Sequence, residues 1–240
     1  MKRIVFCAVL LSCLWATDVF GAGPSLMDLA EQEGYSSSVK VLLLLTALAF
    51  VPALVLSMTS FTRLVIVFSL LRHAMGTQQA PPTQVMVGLA LFLTFFIMQP
   101  VWSQVNEQAL VPYLNEEIGG GEALENALVP MRGFMLKQTR KTDLGLFVEL
   151  SRIPPPTQLA DVPTTVLIPA FITSELKTAF EISFLLYIPF LVIDMVVASI
   201  LMSMGMMLLP PIMISLPFKL MLFVLADGWN MVVKSLVESF

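Results

Sequence analysis

Between residues 184 and 226 the chain carries only two charges, Asp194 and Lys219. A soluble helix needs a polar stripe opposite its apolar face, and this stretch has none to offer. It is also long enough to cross a bilayer, which takes about 20 apolar residues as a helix. Its two halves, 184–209 and 212–226, are separate apolar segments, and similar runs occupy residues 39–58, continuing into 61–71 as a first segment, and 85–105 as a second. None shows the strict two-residue alternation of a half-buried strand, so the pattern predicts an all-α membrane protein with about four hydrophobic segments. Composition agrees: 57% of the chain is hydrophobic and 12% charged, against about 45–50% and about 25% in soluble domains. With a mean hydropathy of +0.87, an ordinary soluble enzyme, a disordered chain and a disulfide scaffold are excluded. The net charge of −4 gives no basic footprint, so nucleic acid is not an expected partner.

The first residues read separately. Lys2 and Arg3 precede an apolar run over 4–15, followed by Ala16, Gly21, Ala22 and Gly23. Such a run is too short to span and fits a signal peptide over 1–21, cut after Ala16 or Gly21. An uncleaved membrane helix is the other reading. Cleavage removes Cys7 and Cys13, the only cysteines, and with them any redox chemistry. Residues 22–240 then form one membrane-embedded domain.

A breaker-rich hinge, GTQQAPPTQ, covers 76–84, and Pro100 and Trp102 close the apolar segment 85–105 near an interface. Residues 106–163 read as a polar excursion on the outer side, with an acidic turn over 115–125 and a proline loop at 154–156. An amphipathic helix is expected over 131–150. It sets Phe134, Leu136, Leu144, Phe147 and Val148 against Arg132, Lys137, Arg140 and Lys141, a basic patch suited to a membrane surface or a partner. Four segments place both mature ends outside and Arg63, Arg72 and His73 in a cytoplasmic turn.

Asp194 sits amid FLLYIPFLVIDMVVASIL. A carboxylate at mid-membrane costs about 2.5–3.5 kcal/mol on insertion scales, so it requires a partner or a wet cavity. No base lies three or four positions away, which leaves another helix or another chain to supply one. Lys219, equally isolated, is the sign-matched candidate. The pair reads either as a structural link between helices or subunits, or as part of a proton relay. Glu175 opens the third segment, where Thr173 or Ser174 can cap a helix start and Lys177 and Glu181 make an i,i+4 pair. A solvated helix start and a subunit contact continued by Phe180 and Phe184 both fit.

Methionine is concentrated at LMSMGMMLLPP, where Met202, Met204, Met206 and Met207 surround Gly205 before Pro210 and Pro211. Glycine weakens a helix and the prolines must end or kink it. At membrane depth a broken backbone is tolerated only where protein buries it or where it lines a cavity. These methionines are either gap-filling core or a deformable seal around an irregular guest. Catalysis lacks parts: His73 is the one histidine, and no P-loop, HExxH or dinucleotide fingerprint occurs. No metal site, cofactor or enzymatic activity is expected.

The run IPAFITSELKTAFEISFLLYIPFLVIDMVVASILMSMGMMLLPPIMISLPFKLMLFVLADGW (168–229) closely resembles the FliP/SctR family, as do FMLKQTRKTDLGLF (134–147) and TSFTRLVIVFSLLRHAMGTQQAPP (59–82). FMLKQTR and the signal peptide favour the flagellar branch over the injectisome one. The resemblance implies a core pore subunit of the type III export gate in the inner membrane, at the flagellar basal body. Copies form a pentameric ring of bent helical hairpins with FliQ and FliR, wrapped by FlhB above FlhA. Unfolded flagellar export substrates pass through. It further implies that Met206 and Met207, with Met204, form a pore gasket, and that Glu175, Asp194 and Lys219 form assembly ion pairs. The competing reading is a proton-coupled solute permease with Asp194 as its coupling acid.

Overall fold

The computed structural model describes residues 37–77, 80–153, 158–206 and 210–240. The expected signal peptide, the prolines at 154–156 and Met207 lie outside them. Every regular element among the described residues is helical. The chain divides into two compact units. Of the first, the described part holds helix α1 (Ser37–Ser57), 21 residues long with Pro52 inside it. Val41, Leu42, Leu45 and Phe50 are all more than half exposed.

The second unit, comprising Leu56–Val162 and Val166–Phe240, contains the other helices. They are α2 (Phe61–Ala74), α3 (Thr83–Val105), α4 (Val111–Leu114), α5 (Gly120–Gln138), α6 (Lys141–Leu150), α7 (Thr164–Ser203), α8 (Pro211–Leu225) and α9 (Gly228–Glu238). A π-helical turn, Asn106–Leu110, joins α3 to α4 without a break. Its wider bore accommodates Pro112, whose ring would otherwise strike the carbonyl four residues back.

Two apolar clusters hold this unit. One gathers Leu64, Val67, Phe68 and Leu71 of α2, Met86 and Ala90 of α3, Ala179 and Phe190 of α7, Phe223 of α8, and Val232 and Leu236 of α9. The other gathers Met98 and Val101 of α3, Met131 and Met135 of α5, Leu144 of α6, and Val166, Leu167, Ala170 and Phe171 of α7. Helices α3 and α7 serve both clusters from opposite ends of their sequences, so they run antiparallel and tie the two together.

Three sequence expectations change here. Of the expected apolar segments, two helices among the described residues are long and apolar enough to cross a membrane: Thr83–Leu114, 32 residues, and α7, 40 residues. A third counts only if α8 and α9, bent by 65°, make one span. Pro100 does not close the apolar helix; Met98 and Val101 on either side of it are buried in a packed cluster that holds the axis through the missing hydrogen bond. The helix expected over 131–150 is two helices, because Thr139 and Arg140 are extended, with ψ of 130° and 139°.

Helix α7 also begins earlier than read, at Thr164 directly after Pro163. Thr173 and Ser174 therefore sit mid-helix. Thr173 Oγ1 bonds back to Pro169 O at 2.9 Å. Ser174 Oγ accepts from the Arg140 backbone N–H at 2.9 Å. That hydroxyl caps the extended gap between α5 and α6 and leaves its own helix uncapped at that point.

Candidate functional site

Helix α7 stops where the sequence breaks. Gly205 has φ +73°, its N–H bonds to Met202 O, and Met206 N–H bonds to Leu201 O, both at 3.0 Å. This pairing with a left-handed glycine is a Schellman end. The helix thus ends before the prolines, and Pro211 opens α8 at the position where a missing N–H costs nothing. Met204 is 66% and Met206 39% exposed. A single chain therefore supplies neither with a packed environment.

The returning helix brings Lys219 to Asp194. Lys219 Nζ lies 2.6 Å from Asp194 Oδ2, with the lysine side chain 3% and the aspartate 30% exposed. Ser215 Oγ, one turn earlier on α8, donates to Asp194 Oδ1 at 2.5 Å. Lys219 Nζ also donates to Ala74 O at 3.3 Å, at the end of α2. Both carboxylate oxygens are thus engaged, and the ammonium ties three helices at one point. Neither partner has another charge of its own helix in reach, so the pair exists only because α7 and α8 fold back on each other.

Glu175 does not join this pair. It meets Arg63 of α2, 112 positions away, in a fork of two bonds: Arg63 Nε to Oε2 at 2.8 Å and Nη2 to Oε1 at 2.5 Å. The side chains are 2% and 0% exposed. The remaining N–H groups also find acceptors: Nη1 donates to Ser239 O at 2.8 Å and Ser239 Oγ at 2.9 Å, and Nη2 to Gln138 Oε1 at 3.2 Å. All five guanidinium donors are engaged. The Phe240 ring lies against the same group, 3.7 Å from centroid to Cζ, a geometry in which a desolvated cation gains from the π face. Arg63 therefore joins α2, α5, α7 and the end of α9.

This corrects the reading of Arg63 as a cytoplasmic-turn charge: it lies inside α2, enclosed by protein. The residues that sequence reasoning missed are Arg63, Gln138, Ser215 and Ser239. Only Arg63 left a trace, as a lone charge in an apolar run. Lys177 and Glu181, by contrast, are 3.7 Å apart and more than half exposed, as a solvated pair would be.

The FliP family model matches residues 44–236. The chain is 55% identical over 211 residues to the flagellar biosynthetic protein FliP of Bacillus subtilis, covering 88% of this chain and 96% of that one. It is 51% identical over 235 residues to that of Aquifex aeolicus, with 97% and 98% coverage. The FliP of Pectobacterium carotovorum is 56% identical over 208 residues, with 87% and 81% coverage. A match of this length takes in the glycine end of α7, the returning α8 and both buried ion pairs, and on it the chain belongs to the FliP family.

Proposed function

We propose that this chain is a component of the flagellar protein export apparatus and, within it, a pore-lining subunit of the export gate. The observation that carries the reading is the pairing of family membership with a membrane-capable helix that stops at Gly205 beside clustered methionines. The chain alone leaves Phe184, Leu185, Met195, Met213, Val224 and Leu225 more than 60% exposed. Apolar surface on that scale belongs against lipid or other subunits. Copies arranged as a ring, with FliQ and FliR and beside FlhB and FlhA, would cover it. Exposed Met204 and Met206, with Met207, then meet their counterparts from other copies and seal the pore until unfolded flagellar substrates part them. An inner-membrane, multi-pass location follows, with a signal peptide over 1–21.

Glu175 and Asp194 are read as charges that set helix geometry for assembly. The permease alternative draws little support, since both Asp194 oxygens are engaged by Ser215 and Lys219. A coupling acid needs a proton path, and relays mark themselves by several ionisable groups in series.

The test is a gate carrying Met206→Ala and Met207→Ala. It should assemble in wild-type yield yet make the membrane leaky to small ions. Ion tightness equal to wild type would refute the gasket. Native mass spectrometry with and without FliQ and FliR tests the assembly: a large ring capturing both supports it, and a monomer indifferent to them refutes it.

A further inference from the structure

Helix α9 has no part in the seal, and its two faces differ in kind. Its inner face, Val232 and Leu236, is buried in the cluster with Met86 and Ala90 of α3 and Ala179 and Phe190 of α7. Its outer face carries Asn230, Lys234, Ser235 and Glu238, all exposed. Residues four apart stack on one side of a helix, so Asn230, Lys234 and Glu238 form a single polar line. The Lys234 and Glu238 side chains are 71% and 65% exposed and 3.9 Å apart. So loose a pair leaves both charges to be solvated. On α7 a second open pair, Lys177 and Glu181, flanks Ala179, which shares the cluster with Leu236.

Depth decides what the outer face can meet. Val237 and Phe240 border one groove with Phe96, Ile97 and Pro100 of α3. Lys234, Ser235 and Glu238 stand within three residues of Val237, so they lie within about 5 Å of that level at about 1.5 Å per residue. There α3, part of a helix able to cross a membrane, leaves Phe95 and Phe96 65% and 62% exposed, with Phe92 one turn away at 78%. No uniform surrounding suits both helices: lipid would strand an ammonium and a carboxylate, and water would wet three neighbouring aromatic rings. Charges at membrane depth face a bundle interior or a water-filled cavity. We infer that the outer face of α9 borders a water-filled space inside the assembly, with lipid on the phenylalanine face of α3. Charges of both signs beside the neutral Asn230 and Ser235 suit the passage of a hydrated, unfolded polypeptide, since they offer hydrogen bonds of every kind and select no one sequence. The inference rests on the pore reading above and deepens it by assigning α9 to the wall of the lumen.

The test compares Ser235→Cys with Phe95→Cys in cells that make the whole export apparatus, Cys7 and Cys13 being replaced by serine. Both positions lie on exposed surface of the single chain, so neither change opens a cavity. Freeze–thawed membrane vesicles give a charged, water-soluble maleimide access to both membrane faces. In parallel, an uncharged bimane is attached at the same cysteines, and brominated phosphatidylcholine quenches it wherever lipid is in contact. Alkylation needs the thiolate, whose fraction falls about tenfold for each pKa unit that an apolar surrounding adds. Ser235→Cys should therefore react with the maleimide at least about tenfold faster than Phe95→Cys, and only the bimane at Phe95→Cys should be quenched. Slow reaction at both with quenching at both would put α9 in lipid and overturn the inference. Slow reaction at Ser235→Cys without quenching would put another subunit on α9 and overturn it as well. Fast reaction at both would take α3 out of the membrane, overturning the membrane reading and this inference together. The pore reading stands or falls separately, on the ion leak of the Met206→Ala and Met207→Ala gate.

Discussion

Glu175→Ala is expected to be the most damaging single change in the second unit, and the reason lies in what it leaves behind. Arg63 and Glu175 are 2% and 0% exposed, so no water replaces the lost carboxylate. The guanidinium keeps Ser239 and Gln138 as neutral acceptors but loses both bonds to Oε1 and Oε2 and, among the described residues, the one carboxylate paired with it. Breaking a buried pair in this way costs about 3–5 kcal/mol. For a chain of this size each kcal/mol moves the melting temperature by about 2–4 °C, so a drop of about 6–20 °C is expected. Replacing both partners, as Arg63→Met with Glu175→Leu, removes the orphaned charge and restores apolar volume. Ser239, which is exposed, and Gln138 Oε1 then lose a donor, while Gln138 Nε2 keeps its bond to Phe240 O at 2.7 Å; both lost bonds are to neutral acceptors. The double variant should thus recover at least about 2 kcal/mol, or roughly 4–8 °C. Thermal unfolding of the purified chain in detergent, followed by tryptophan fluorescence, reads both. Equal melting of Glu175→Ala and the double variant would refute the argument, because it would mean that the orphaned arginine costs nothing.

The second ion pair should respond asymmetrically. Asp194→Ala strands a lysine that is 3% exposed with only Ala74 O for company, whereas Lys219→Ala leaves a carboxylate that is 30% exposed and still bonded by Ser215. Asp194→Ala should therefore lower the yield of folded, assembled chain more than Lys219→Ala does, by size-exclusion recovery; the reverse order would count against the geometry. Gly228→Ala should destabilise the bend between α8 and α9 by about 1–3 kcal/mol, since the added Cβ runs into the Phe223 ring. Phe223→Leu in the same chain should return part of that loss in the melting temperature.

Local chemistry made some of this legible. Long runs without charge exclude a water-facing fold whatever the tertiary arrangement, because burying or solvating a helix is decided by its own side chains. The break at Gly205 and the prolines is likewise local: a left-handed residue and a missing N–H act on the backbone where they stand. Asp194 and Lys219 were legible as a pair only by elimination, each being a lone charge of opposite sign in adjacent segments. The partner of Glu175 was not legible from the residues themselves, because its nearest apparent role was a helix start, and the backbone continues helical for eleven residues before it.

By itself, then, the sequence determined the helical class, the capacity to enter a membrane and the site of the α7 break, since these follow from composition and single-residue backbone preferences. Only the tertiary structure decided that Arg63 lies inside the protein on Glu175, that Pro100 leaves its helix intact, and that Arg140 opens a gap capped by Ser174. Each of these depends on a partner 30 or more positions away, or on packing that holds a weakened helix straight. Contacts of that kind are set by where helices cross, which residue order along one segment does not encode.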